Sequence, residues 1–301
     1  MTQDLWWPSP YGSEDQIGML NEITPHQVVE AARLVQEGRV YDLGRVLDEN
    51  VPAFAGRSFR QSLITSAHLL NRRRPDAGLA GWGENDVNWV IEIFSSTSQL
   101  GTHLDALNHL QIGDRLYNGH RLRDIAEEWG TNQLGVETVP QIISRGVLVD
   151  VAKLHGVERL EAGYAILVSD VTKALEQQAV EIRKGDAVLF HTGWGDWWMK
   201  DSETYLSGEP GPGLELALWL VEKKVALTGC DTWSFGPVPG EDPARPFEVP
   251  QTLNVRHGLF IVENLFTQEL ANAGVYEFLF ILTHAKVRGA TGAWVSPVAI
   301  H

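Results

Sequence analysis

Cysteine is almost missing: Cys230 is the only one in 301 residues. No disulfide can therefore form within the chain, which fits a reducing compartment. No run of 18 apolar residues occurs, and MTQDLWWPSP at the start has neither a basic region nor an apolar core. A membrane span and a secretory leader are thus not expected, and the cytoplasm is the default location. Basic residues are scarce, with 24 Lys and Arg against 39 Asp and Glu and a net charge of -15. A phosphate backbone needs clustered cations, so nucleic acid is an unsuitable partner. The short run Arg72-Arg73-Arg74 reads as a solvated loop. Also absent is any Ser/Gly/Pro-rich linker or low-complexity tract, so one domain is expected.

What is present is a globular composition, 44% hydrophobic and 21% charged, in a chain long enough to bury a large core. Residues 1–40 read as an N-terminal arm and helix, and residues 41–301 as the main domain. Within the arm, PHQVVEAARLVQEGR has a cap-like Thr24, Pro25 at the helix start and apolar residues at helical spacing. VYDLGRVLDENVPAF, RSFRQSLITSAHLLN and VNWVIEIF are strand-like. A long glycine-containing connection, Asn71 to Asp86, holds Trp82, and Trp89 follows it. These two rings offer a stacking wall for a flat substrate, although buried filler is the commoner role for tryptophan. The segment from His120 to Gly146 is expected to hold two helices. GVLVDVAKLHG and DAVLFH then read as strands buried on both faces. A helix from Leu214 to Lys223 and the strand VALTGCD follow, which puts Asp231 at a strand's C-terminal end, where side chains face a cleft in alternating structures. The last part gives a helix from about Thr267, a strand from Phe278 to Ala285 and a closing strand after Gly292. Helices alternating with strands of both periodic and solid apolar type indicate an α/β protein with a mixed sheet and flanking helices.

Chemistry concentrates in the stretch from Ser95 to Tyr117, SSTSQLGTHLDALNHLQIGDRLY. Gln99, His103, Asp105 and His109 stand in the framework Q-x-G-T-H-x-D-x-x-x-H. If the preceding strand runs on past Thr97, Gln99, His103 and Asp105 share one face, because strand side chains alternate. Imidazole nitrogen with carboxylate and amide oxygen suits a borderline divalent ion. His109 falls outside that alternation and reads as a general base. Spacing alone leaves an ordinary polar cluster equally open.

The same segment resembles the signature H-x-G-T-H-x-D-x-P-x-H of the cyclase-like metal-dependent hydrolase family, which includes bacterial kynurenine formamidase and isatin hydrolase. Agreement lies at Gly101, Thr102, His103, Asp105 and His109; Gln99 and Leu107 replace a His and a Pro. The blocks DAVLFHTGWGDWW, GLFIVENL and YEFLFILTHAKVRGATGAWVSPVAI extend the resemblance over roughly residues 40 to 300. It implies a swivelling β/β/α arrangement, with His103, Asp105 and Glu263 as metal ligands. Pro250 stands where many relatives place a ligand His, leaving Gln99 and Gln251 as the further donors. One divalent ion per chain is therefore expected, and the oxygen-rich set leans toward Mn2+ over Zn2+. Tyr117, in a Y-N-G context, and Asp231 are implied near the substrate.

The function these features imply is hydrolysis of an amide, lactam or lactone bond in a small aromatic substrate, with His109 as general acid and base. Two other readings stay open: a cyclase or dehydratase of secondary metabolism using His109 and Glu263 without hydrolysis, and a ligand-binding homologue without catalysis. Relatives imply a homodimer or homotetramer.

Overall fold

The computed structural model describes residues 5–66, 84–85, 87 and 89–301. Trp82 and most of the Asn71 to Asp86 connection lie outside these residues. In the arm, the helix Pro25–Ala32 (α1) begins with reciprocal bonds: Thr24 Oγ1 accepts from the Gln27 N–H, and the Gln27 side chain accepts from the Thr24 N–H. Both satisfy donors that a helix start leaves without partners. The arm is bound to the domain rather than trailing from it. Ser9 N–H donates to Asn118, the Tyr117 hydroxyl donates to Asp15, and Met19 N–H donates to the Gly258 carbonyl.

Strand β1 is Val40–Asp42, and Arg60–Ser66 (β2) pairs with Val90–Ser95 (β3) as a two-stranded ribbon apart from the main sheet. Apart from two small two-residue ribbons, the other strands are His103–Asp105 (β4), Ile142–Asp150 (β5), Ala187–His191 (β6), Leu227–Cys230 (β7), Phe260–Glu263 (β8), Glu277–Leu282 (β9), Gly292–Trp294 (β10) and Val298–Ile300 (β11). Among the described residues they form a nine-stranded sheet in the order β1-β11-β9-β5-β6-β7-β8-β4-β10. The run β5-β6-β7-β8 is parallel and the outer pairings are antiparallel.

Solid apolar runs in the central strands have a simple cause: both sheet faces are covered. Val147, Val149, Val188 and Phe190 pack in one cluster with the helices Val168–Gln178 (α2) and Leu214–Glu222 (α3), through Val171, Ala174, Leu216 and Leu220. Leu148, Leu189, Leu227 and Val262 pack in the other, with Phe278 and Phe280. Single-domain α/β architecture with a curled mixed sheet is thus what the alternating pattern indicated. Among the described residues no helix is long and apolar enough to cross a membrane.

Several local expectations fail. GVLVDVAKLHG leaves the strand at Asp150, whose carboxylate accepts from the Lys153 N–H and starts a short helix, Val151–His155, and VYDLGRVLDENVPAF is strand only over Val40–Asp42. The second helix before Gly146 is replaced by one 3-10 turn, Val136–Thr138. Gly130 and Gly135 interrupt any helical run there, Pro140 follows, and Leu134 sits at φ 64. The strand ending at Ser95 also does not continue to Asp105. Ser96 to Thr102 is irregular, with the Ser96 hydroxyl bonded to the Thr97 carbonyl and Gly101 turning the chain at φ 64. Short hydroxyl side chains offer such local bonds in competition with a strand ladder.

Candidate metal centre

Strand β4 is three residues long, and its alternation sends Leu104 into the core while His103 and Asp105 face the opposite way. Its antiparallel neighbour β8 sets Glu263 opposite His103 and Ile261 opposite Asp105. Directly opposite residues share a face, so a carboxylate 158 positions further along joins the His-x-Asp pair. On the other side Gly292 stands opposite Asp105. A side chain there would strike the Gln99 amide at 2.8 Å, so glycine leaves that space to Gln99. Thr102 fixes the start of β4 to the end of β8, its hydroxyl donating to the Asn264 carbonyl at 2.7 Å.

Glu263, His103 and Asp105 are all buried, and their donor atoms lie within 4.8 Å of one another. His103 Nδ1 lies 2.7 Å from the Gly101 carbonyl. A carbonyl can only accept, so Nδ1 carries the proton and Nε2 presents a lone pair. That lone pair faces Glu263 Oε2 at 3.2 Å and Asp105 Oδ1 at 3.5 Å. Neither His103 Nε2 nor Asp105 Oδ1 has a hydrogen-bond partner among the described residues. Three electron-rich atoms converging in a buried site repel one another unless a cation lies between them. Fixing the remote ring nitrogen through a backbone carbonyl is also how ligating histidines are oriented. The residues therefore fit a divalent ion.

Titration behaviour follows from the same burial. Desolvation lowers the His103 pKa, which keeps the ring neutral, and raises that of Asp105. Burial pushes Glu263 up to about 7, against the opposing charges of His109 and Arg57 and a hydrogen bond from Ser234. In the absence of a cation a proton thus competes for Glu263 near neutral pH.

His109 follows β4 in a turn closed by its own N–H and the Ala106 carbonyl, with Ala106 and Leu107 buried beneath it. Its Nε2 lies 3.9 Å from Asp105 Oδ1, and its side chain is 24% exposed where Asp105 is 4%. Together with Asp105 and Glu263 it lines a cavity of about 380 Å³. Aromatic rings form one wall: Phe54 meets Trp233 edge to face at 4.6 Å, and Trp233 meets Phe247 at 6.1 Å. Behind that wall, buried Glu209 accepts the Trp233 and Ser234 N–H groups and so fixes the turn.

The family model described as "Putative cyclase" matches residues 41–237. The chain belongs to this cyclase family. A solved structure described as a novel cyclase is similar at 30% identity over 97% of this chain and 96% of its own, with a TM-score of 0.86. Isatin hydrolase A from Ralstonia solanacearum is similar at 22% identity over 93% and 98%, with a TM-score of 0.65. A structure described as a potential metal-dependent hydrolase with cyclase activity is similar at 15% identity over 87% and 98%, with a TM-score of 0.54. The last two likenesses show the shared fold. A search of curated protein sequences found no match.

In this cyclase-family chain the other expected site residues divide. Gln99 lines the cavity, but from the irregular segment before β4 rather than from a shared strand; its Nε2 donates to the Thr291 hydroxyl at 3.1 Å, which leaves the amide oxygen as its one possible ligand atom. Gln251 instead donates to the Gln111 carbonyl, and it is Pro250 beside it that lines the cavity. Tyr117 lies elsewhere: buried, bonded to Ser9 and Asp15 and packed on Gly258, it anchors the N-terminal arm. Trp89 stands 45% exposed before β3, outside the cavity lining. Phe54, Arg57, Trp233, Ser234 and Phe247, which do line it, come from loops.

Asp231 is also absent from the cavity lining. It accepts bonds from the Thr192 hydroxyl and the Thr192 and Gly193 N–H groups, and it lies 3.4 Å from His191. Burial would disfavour both charges, yet the pair's mutual hydrogen bond and attraction raise His191 and lower Asp231. The ion pair therefore holds between the ordinary carboxylate and imidazole ranges, and is lost as pH falls through the lowered Asp231 pKa or rises through the raised His191 pKa. Asp231→Ala is expected to lower the unfolding free energy by about 3–5 kcal/mol, the effect of stranding one partner of a buried pair, with metal content unchanged. Urea unfolding and elemental analysis check both parts, and lost metal with undiminished stability would contradict them.

Proposed function

We propose that this chain is a divalent-metal-dependent hydrolase that cleaves an amide, lactam or lactone bond in a small aromatic substrate. The observation that carries the reading is the convergence of His103 Nε2, Asp105 and Glu263, with two of those donor atoms buried and unpartnered. His103, Asp105 and Glu263 would hold the ion, with the Gln99 oxygen as a further donor. An ion there would supply Lewis acidity, which lowers the pKa of a bound water from about 15.7 toward about 7 and polarises a carbonyl. His109 Nε2, open to the cavity, takes the proton from the attacking water and returns it to the leaving nitrogen or oxygen. Phe54, Trp233 and Phe247 present a wall to a flat ring, and the Ser234 hydroxyl, bonded to Glu263, works against the burial that raises that carboxyl. Support from relatives is general: solved structures of this fold include isatin hydrolase and a potential metal-dependent hydrolase.

A panel of aryl amides, lactams and lactones tests this, with released carboxylate measured before chelation, after it and after adding back Mn2+ or Zn2+. Expected is turnover of at least one cyclic amide or ester that chelation abolishes and the ion restores. Cyclised or dehydrated product formed equally well by the chelated protein would favour metal-free acid and base chemistry by His109 and Glu263, and would end the hydrolase reading.

A further inference from the structure

We propose that Arg57 determines specificity in this cavity by receiving an anionic group on the substrate, so that the compounds it takes are aromatic carbonyl compounds bearing a carboxylate. The inference deepens the hydrolase reading and rests on it only for the name of the reaction. Phe54-Ala55-Gly56-Arg57 is a tight turn closed by the Arg57 N–H and the Phe54 carbonyl at 3.0 Å, with Gly56 at φ 86 in its third position. That is the type II geometry, in which the third residue needs a positive φ. The turn brings both Phe54 and Arg57 to the cavity, which both line. A ring seated against Phe54 and Trp233 therefore has a cation at its edge.

Among the described residues the guanidinium is held by a carbonyl and not by a carboxylate. Nη1 donates to the Gln99 carbonyl at 3.2 Å, which orients the group. Among the described residues no carboxylate lies within 4 Å of it, in a chain whose net charge is -15. Arginine carries five N–H donors in a planar fork that matches a carboxylate in two parallel bonds. Arg57 also lies within electrostatic reach of the metal-site carboxyls, where its positive charge opposes part of the rise that burial gives Asp105 and Glu263. A bound anion at the rim and a carbonyl at the floor would then be recognised by separate groups, one of them belonging wholly to the protein.

Equilibrium binding tests this without turnover. Benzoate and benzamide are titrated into the intact protein, with and without chelation, and binding is followed by quenching of tryptophan fluorescence and by calorimetry. Wild type is expected to bind benzoate at least about 10-fold more tightly than benzamide in both states, the scale of a charge-assisted hydrogen bond pair. Arg57→Gln should abolish the preference, and Arg57→Lys, a point charge without the fork, should retain part of it. A preference absent from wild type, or one that survives Arg57→Gln, overturns the proposal. So does a preference that chelation alone removes, because the carboxylate would then be binding at the ion. Circular dichroism confirms that the variants are folded, as an exposed side chain predicts. Failure of every amide, lactam and lactone to turn over would count against the hydrolase reading and leave this comparison standing.

Discussion

His103→Ala is expected to purify without stoichiometric divalent metal and to hydrolyse substrate about 10³-fold more slowly, or worse. Several kcal/mol of transition-state stabilisation come from a bound Lewis acid, and about 4 kcal/mol corresponds to that factor. Removing the imidazole deletes the only nitrogen donor in the cluster and leaves Asp105 and Glu263 facing each other. Burial already raises both carboxyls, Glu263 to about 7, so a proton shared by the two acids replaces the ion. Stability should change less than activity. The variant loses the bond to Gly101 and leaves a cavity, but it also removes a lone pair held against two carboxylates. Wild type should load metal less readily as pH falls below about 7, because the ion must displace a proton from Glu263. Elemental analysis of both proteins, repeated at pH 6 and pH 8, checks these points. Equal metal in wild type and variant would remove His103 from the site.

Much of this arrangement is legible in the amino-acid sequence alone, for reasons that differ by element. Strands β5 and β6 are unmistakable because burial on both faces needs an unbroken apolar run. Thr24, Pro25 and Gln27 mark a helix start through local chemistry that needs no partner elsewhere. The pairing of His103 with Asp105 follows from period two within one strand. Glu263 does not follow from any local rule, since it enters through the register of β8 against β4. Family resemblance points to it where spacing cannot. Asp231 illustrates the opposite error: the end of a parallel strand does face a cleft in many sheets, but here the adjoining Thr192 and Gly193 backbone has absorbed the carboxylate. Arg57 and Phe54 close a four-residue turn where two segments that read as strand-like meet, and nothing in that alternating pattern marks them as functional.

The role of His109 can be separated from that of the ligands by one substitution. His109→Gln is expected to keep stoichiometric metal while kcat falls by about 10²- to 10⁴-fold, the range for losing a positioned general base, with KM little changed. Geometry supports the separation. The ligand side chains are nearly sealed, at 1% for His103, 4% for Asp105 and 9% for Glu263, whereas His109 is open to the cavity at 24%. Its distance of 3.9 Å from Asp105 Oδ1 is too long for a hydrogen bond, so the imidazole is not tied up by that neighbour. Glutamine preserves polarity and much of the volume but cannot exchange a proton, so the loss should sit in turnover and added imidazole should restore part of it. A variant that loses its metal would make His109 a ligand. Unchanged kcat would transfer the proton to Glu263, whose carboxyl burial pushes up to about 7, and would fit acid and base chemistry better than hydrolysis.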